Sequence, residues 1–264
     1  MRIDRELVER VEWSGASLCI RQTHAVSLHP SGTKAQARSF DRGALISFGR
    51  GSFVNRGIGI GLGGTPAAEL VRETIDFYER LGLEPSLEVG AWVDGELLTE
   101  LAQAGFVTTE FRSVYVRSVD EPPEVVPAHI EQVSPETAEA RKAIVAHPAQ
   151  PGTPERQVSD DYNDATASLD GLTHFVARVD GTVAACGTVT VQAGVAHLMG
   201  GVTLPRYRRR GLQSALLVER LRSAAAQGCD VATVTALPGS QSAANLERLG
   251  FELLYTQSIM TRPA

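Results

Sequence analysis

In the second half of the chain the apolar positions change their spacing several times, and each change marks an element. Leu212, Leu216, Leu217, Leu221 and Ala225 fall mostly four apart, which gathers them on one face of a helix that starts after Gly211 and stops at Gly228. Residues 231–237 form a short apolar run, Pro238-Gly239-Ser240 breaks it, a helix carrying Asn245 follows, and residues 251–260 read as a closing strand. Upstream, residues 173–179 and 182–191 are two strand-like runs around Asp180-Gly181, and both turn residues favour positive φ, which predicts a two-residue hairpin. A third strand spans about 196–204. Ser134-Pro135 and Thr153-Pro154 each place a capping residue before a proline suited to the first helical position, predicting two helices that run towards His147 and Asp164. The sum is an α/β order whose late strands are parallel.

The first half repeats part of this order. An offset of 145 residues lays Leu101, Gly105 and Phe106 over Leu246, Gly250 and Phe251, and lays Ser86-Leu87-Glu88-Val89 over Val231-Ala232-Thr233-Val234. Residues 66–81 keep an amphipathic helix through Leu70, Ile75, Tyr78 and Leu81. Between the halves, Ser118-Val119-Asp120-Glu121-Pro122-Pro123-Glu124, with Pro127 close behind, combines acidic residues with prolines and predicts a short stiff linker. The expected division is 1–120 and 125–264.

The chemistry concentrates after the third strand, where Gly200 to Leu217 reads GGVTLPRYRRRGLQSALL. Strand, basic turn and helix in that order present free backbone N–H groups and the positive end of a helix dipole, a natural seat for phosphate. Arg206, Arg208, Arg209 and Arg210 add guanidinium groups that match phosphate oxygens. The turn lacks the Gly-Lys-Ser/Thr of a nucleoside-triphosphate loop and is not the GxGxxG of dinucleotide binders, so a different phosphate-bearing cofactor is implied. In the first copy the same stretch reads IGIGLGGT, with no arginine.

This loop resembles the pyrophosphate loop of the GCN5-related N-acetyltransferase (GNAT) superfamily, whose pattern is Gln or Arg, two free positions, Gly, one free position, then Gly or Ala. Arg208 and Gly211 fall in register, and Gln213 departs from the last position. Asn245-Leu246-Glu247-Arg248-Leu249-Gly250-Phe251 resembles the asparagine-bearing helix and Leu-Gly-Phe turn of the same family, about 40 residues downstream. The resemblance covers roughly 125–264 and implies an α/β fold of tandem acetyltransferase-like mixed β-sheet domains with flanking helices, the N-terminal copy degenerate. It further implies acetyl-CoA as cosubstrate, with Gly201, Val202 and Thr203 on the pantetheine, and Arg208, Arg209, Arg210, Gly211, Gln213 and Ser214 on the pyrophosphate. Asn245 would reach the cofactor arm, and a small-molecule or peptide amine would attack the thioester directly. The family often places a tyrosine where this chain has Leu246, which leaves the thiolate's proton donor open. Tyr255 is one candidate, with Ser240 and Ser242 behind it, and each equally suits a structural role. His197, at the start of the cofactor strand, is the candidate proton acceptor, set against the alternative of a structural histidine. A rival reading from another class is a CoA-binding sensor that has lost transfer, motivated by Leu246 and Gln213.

Composition narrows the partners. The chain of 264 residues is 43% apolar, enough for one large core or two smaller ones, and its net charge of -6 makes the arginine cluster a local feature that argues against nucleic acid. Cys19, Cys186 and Cys229 are widely spaced and form no CxxC pair. With no apolar leader and no membrane-length apolar stretch, they make a reducing cytoplasm and no membrane the expectation. His24, His29, His129, His147 and His174 lack compact ligand spacing, so no metal is expected, and the absence of GxSxG sets serine hydrolysis aside.

Overall fold

The computed structural model describes residues 2–263 apart from 32, 33, 53, 147 and 168, so the helix end expected near His147 lies partly outside the described residues. The first half runs α1 (Arg5–Ser27), β1 (Gln36–Phe40), β2 (Gly43–Ser47), β3 (Arg56–Ile58), α2 (Ala67–Arg80), β4 (Ser86–Val89), α3 (Gly95–Gln103) and β5 (Val107–Ser118). The second runs β6 (His129–Gln132), α4 (Pro135–Ala146), α5 (Pro154–Thr166), β7 (Leu172–Val179), β8 (Thr182–Gln192), β9 (Val195–Thr203), α6 (Leu212–Ala226), β10 (Val231–Ala236), α7 (Gln241–Arg248) and β11 (Glu252–Thr261).

Local chemistry sets many of these boundaries. Asp180 and Gly181 adopt φ of 50° and 77°, the mirror-image turn that matches strand twist, and β7 and β8 pair antiparallel on either side of it. Thr153 Oγ1 accepts from Arg156 N at 3.3 Å and Ser240 Oγ from Ala243 N at 3.2 Å, capping α5 and α7. From α2 to α3 and from α6 to α7 the halves follow the same sequence of helix, strand and helix at the 145-residue offset.

All strands join one mixed sheet in the order β1-β2-β3-β4-β11-β5-β10-β9-β8-β7-β6. The two middle strands are exchanged. β5, the last strand of the first half, pairs antiparallel with β10, while β11, the last strand of the second, pairs antiparallel with β4. Each half therefore completes the other's sheet, and β5 and β11 lie against each other at the centre. A seam core of Leu7, Val11, Val114, Val116, Val195, Val231, Leu254 and Tyr255 draws on α1 and on both halves. Two larger cores flank it, one around Leu70, Phe77, Tyr78, Leu87 and Leu101, the other around Leu198, Leu216, Leu217, Leu221 and Leu246.

Helix α1 ties the halves together on one face. It packs on β1 and β2 and reaches β8, β9 and α5. Arg10 binds both the Asp230 carboxylate and the Gly194 carbonyl, and Arg21 donates to Gln192 Oε1 at 2.8 Å and the Asp170 carbonyl at 2.5 Å.

Candidate functional site

β9 and β10 start as parallel neighbours and then part. Their pairs run from Val195 with Val231 to His197 with Thr233, after which β10 continues only beside β5. Within β9 the register against β8 shifts between Met199 and Val202, leaving Gly200 and Gly201 opposite Gly187, with Gly200 at φ 59°. Such a bulge frees backbone groups from the ladder. Beneath it lies Arg220 of α6, 3% exposed, donating to the carbonyls of Leu216 at 3.0 Å and of Thr188 and Met199 at 3.3 Å each. Burial lowers its pKa to about 10, still charged at neutral pH. No motif in the sequence marks Arg220, which stands among the buried residues of α6, and only packing shows it pinning the bulged strand.

The basic loop follows directly. Residues Pro205–Tyr207 make one tight turn, Arg209 takes φ 62°, and Gly211 takes φ 75° at the mouth of α6. No side chain caps that helix, so its first N–H groups stay open. Arg206, Arg208, Arg209 and Arg210 are exposed, and none forms an ion pair among the described residues. The guanidinium carbons of Arg206 and Arg210 lie 4.9 and 5.7 Å from the Tyr207 ring centroid, so the ring gathers two of the charges. Uncompensated cations beside an uncapped helix start form an anion site.

A polar bridge spans from this helix start to α7. Asn245 Nδ2 donates to Gln213 Oε1, and Gln213 Nε2 lies 3.4 Å from Ser242 Oγ. Asn245 Oδ1 in turn accepts from Gln241 and Arg248. The residue that departs from the family pattern is thus the one that joins the two helices. Gly201, Val202 and Thr203 thus lie at the loop end of β9, and Gln213 and Ser214 in the first turn of α6, with Asn245 of α7 bonded to Gln213.

Residues 141–251 match the acetyltransferase (GNAT) family model. That stretch is a GNAT domain. The whole chain superposes on a GCN5-related N-acetyltransferase from Kribbella flavida with TM-score 0.67 at 19% identity, covering 94% of this chain and 95% of that one. It superposes on a tandem GNAT protein from the clavulanic acid biosynthesis pathway with TM-score 0.62 at 15% identity, covering 99% and 96%. A GCN5-related N-acetyltransferase from Sphaerobacter thermophilus gives TM-score 0.59 at 17% identity over 79% and 73%. No curated protein sequence matches the chain. The likenesses establish the fold, a tandem of two GNAT-like halves of which only the second meets the family model.

The first GNAT-like half closes the equivalent position with its own carboxylate. Just ahead of α2, Asp41 Oδ2 accepts from Thr65 N at 2.9 Å and Thr65 Oγ1 at 2.6 Å, and Thr65 corresponds to Arg210 of the second half. The Asp41 side chain lies 2.1 Å from where a Cβ on Gly63 would stand, so only glycine fits there. The space left measures about 10 Å³, the room of a single water.

The two proton-transfer candidates both carry structural contacts. Tyr255 lies on β11, separated from β10 by β5, roughly two strand spacings or about 10 Å. Its hydroxyl donates to the buried Glu12 carboxyl and its ring meets Trp92 edge-on at 4.7 Å. His197 is half-buried under α1, with Nε2 2.8 Å from Ser14 Oγ. Since Ser14 gives its hydrogen to the Val11 carbonyl at 2.8 Å, Nε2 is the donor in that contact. Burial lowers the ring's pKa to about 4, which makes it a weak base at neutral pH. Exchange instead brings Tyr115 of β5 beside β10, opposite Val234, where its hydroxyl donates to Glu247 Oε1 of α7 at 3.0 Å. No sequence signal marks Tyr115, because it belongs to the other half. Among the described residues no helix is long and apolar enough to cross a membrane, and no group of three metal-ligand side chains converges.

Proposed function

We propose that the second half binds acetyl-CoA and transfers its acetyl group to an amine, and that the first half is a scaffold. The parting of β9 and β10 towards an uncapped helix start, with four arginines that form no ion pair among the described residues, carries this reading. Arg208, Arg209, Arg210, Gly211 and Ser214 hold the pyrophosphate, and Gln213, bonded to Asn245 and Ser242, crowds that seat. Gly201, Val202 and Thr203 offer backbone groups to the pantetheine, and Asn245 turns from Gln213 to the cofactor arm. The unprotonated amine attacks the thioester carbon, the carbon–sulfur bond breaks, the nitrogen loses a proton to water, and the thiolate gains one. Backbone N–H groups near the bulge polarise the carbonyl, and binding the two reactants together supplies much of the acceleration. The Tyr115 hydroxyl, kept protonated by burial and by Glu247, is assigned to the thiolate.

Binding without transfer is the second reading, favoured by Leu246 in the family's tyrosine slot and by the positions of His197 and Tyr255. Amine-dependent CoA release from acetyl-CoA across a panel of small and peptide amines separates the two. Replacing Arg208 and Arg210 together by Ala should weaken CoA binding at least about tenfold with unchanged circular dichroism. Tyr115→Phe should lower turnover while sparing CoA affinity. Undiminished affinity in the double variant removes the phosphate loop, and tight CoA binding with no transfer selects the sensor.

A further inference from the structure

A cavity of about 320 Å³ lies between the first turns of α4, the end of α5 and the start of β7. It is separate from the basic loop: Leu172 pairs with Thr190 towards the far end of β8 and His174 with Thr188 at its middle, beside the bulge, whereas the loop end of β9 lies opposite Ala185. Nothing in the acetyl-transfer reading uses it.

Arg141 lines this cavity and is 8% exposed. Its guanidinium donates to Asn163 Oδ1 at 3.1 Å, forms no ion pair among the described residues, and leaves Nε buried without a partner. A buried cation without a counter-charge is costly, and the rest of the wall does not supply one. Lys142 and Asp164 pair with each other at 2.6 Å, and Glu139 stands in solvent at the rim. Beside Arg141 is His174, whose Nδ1 lies 2.8 Å from Thr188 Oγ1 while Nε2 is buried with no partner among the described residues. Burial and the neighbouring Arg141 lower its pKa to about 4, so the ring is neutral near pH 7.

We propose that this cavity is a binding site for a small organic carboxylate, which supplies the missing counter-charge to Arg141. A single unmatched positive charge suits a carboxylate. A phosphate dianion brings a second negative charge to the same point, which Arg141 alone does not match. The proposal does not rest on acetyl transfer.

Thermal unfolding and calorimetry on the full chain test it, using acetate, succinate and glutamate against chloride and inorganic phosphate at matched ionic strength. At least one carboxylate should raise the melting temperature saturably, with phosphate no better than chloride. Arg141→Met should abolish that response while leaving the ligand-free melting temperature unchanged or higher, because an unpaired buried charge is removed. Ala138→Leu narrows the cavity with Arg141 in place and should weaken binding about tenfold, which decides the matter should Arg141→Met fail to fold. No response to any of the three carboxylates, an equal response to phosphate, or an unaltered response in either folded variant would overturn the proposal.

Discussion

The Asp41 carboxylate accepts from both the backbone N–H and the hydroxyl of Thr65, at 2.9 and 2.6 Å, where the second half exposes Arg210. Thr65's hydroxyl and N–H bonds lower the Asp41 pKa, so the contact stabilises the fold above the ordinary carboxylate range and is lost as pH falls below about 4. Asp41→Ala should cost about 0.5–1 kcal/mol at pH 7, limited by solvent exposure, with the difference from wild type vanishing in acid melts. CoA titration should give one site per chain in both proteins. A second site in wild type would refute the scaffold reading of the first half.

Gln213 joins α6 to α7 through Asn245 and Ser242, and the cofactor arm must displace that bridge. Gln213→Ala should therefore tighten CoA binding by a few fold, since each bond released is worth on the order of 1 kcal/mol. Calorimetry reads the change directly. A weaker complex would mean that Gln213 serves the pyrophosphate more than it opposes it.

Glu12 supplies a pH dependence of opposite sign to that of Asp41. Burial, aided by Glu88, pushes its pKa up to about 8, outweighing the bonds from Tyr255 and Gly59. The folded chain then binds this proton more tightly than the unfolded one, so stability declines as pH rises from about 4.5 through 8 and levels off above. Urea unfolding of wild type between pH 5 and 9 should show a loss of at most a few kcal/mol. Glu12→Gln, which retains an acceptor for Tyr255, should flatten it.

Gly187 faces the Arg220 guanidinium so closely that an added Cβ would lie 2.9 Å from Arg220 Cζ. Gly187→Ala should push the arginine off the Thr188 and Met199 carbonyls and destabilise the chain by about 1–3 kcal/mol. If the bulged strand guides the pantetheine, CoA affinity falls with it. Unchanged denaturation midpoints would show that the guanidinium has room to shift.

The elements of the second half were legible because their signals are local. Asp180-Gly181, Thr153-Pro154, Ser240 and the four-residue spacing from Leu212 act within a few residues, through backbone sterics, caps and one apolar face. The basic loop was legible for the same reason, since four adjacent arginines before a glycine need no distant partner to be charged and exposed. The offset between the halves also showed in sequence, because Gly-Phe turns and amphipathic helices carry the repeat. Only the tertiary structure decided which strand lies beside β10. Pairing depends on backbone hydrogen bonds that are alike for β5 and β11, and the exchange is chosen by side chains packing at the seam between segments more than a hundred residues apart. That choice moved Tyr255 to Glu12 and brought Tyr115 to α7. The cover of His197 by Ser14 and the buried charges of Arg220 and Arg141 arise in the same way, from burial by distant elements, and burial is the property that a polar residue's own neighbours in the chain do not encode.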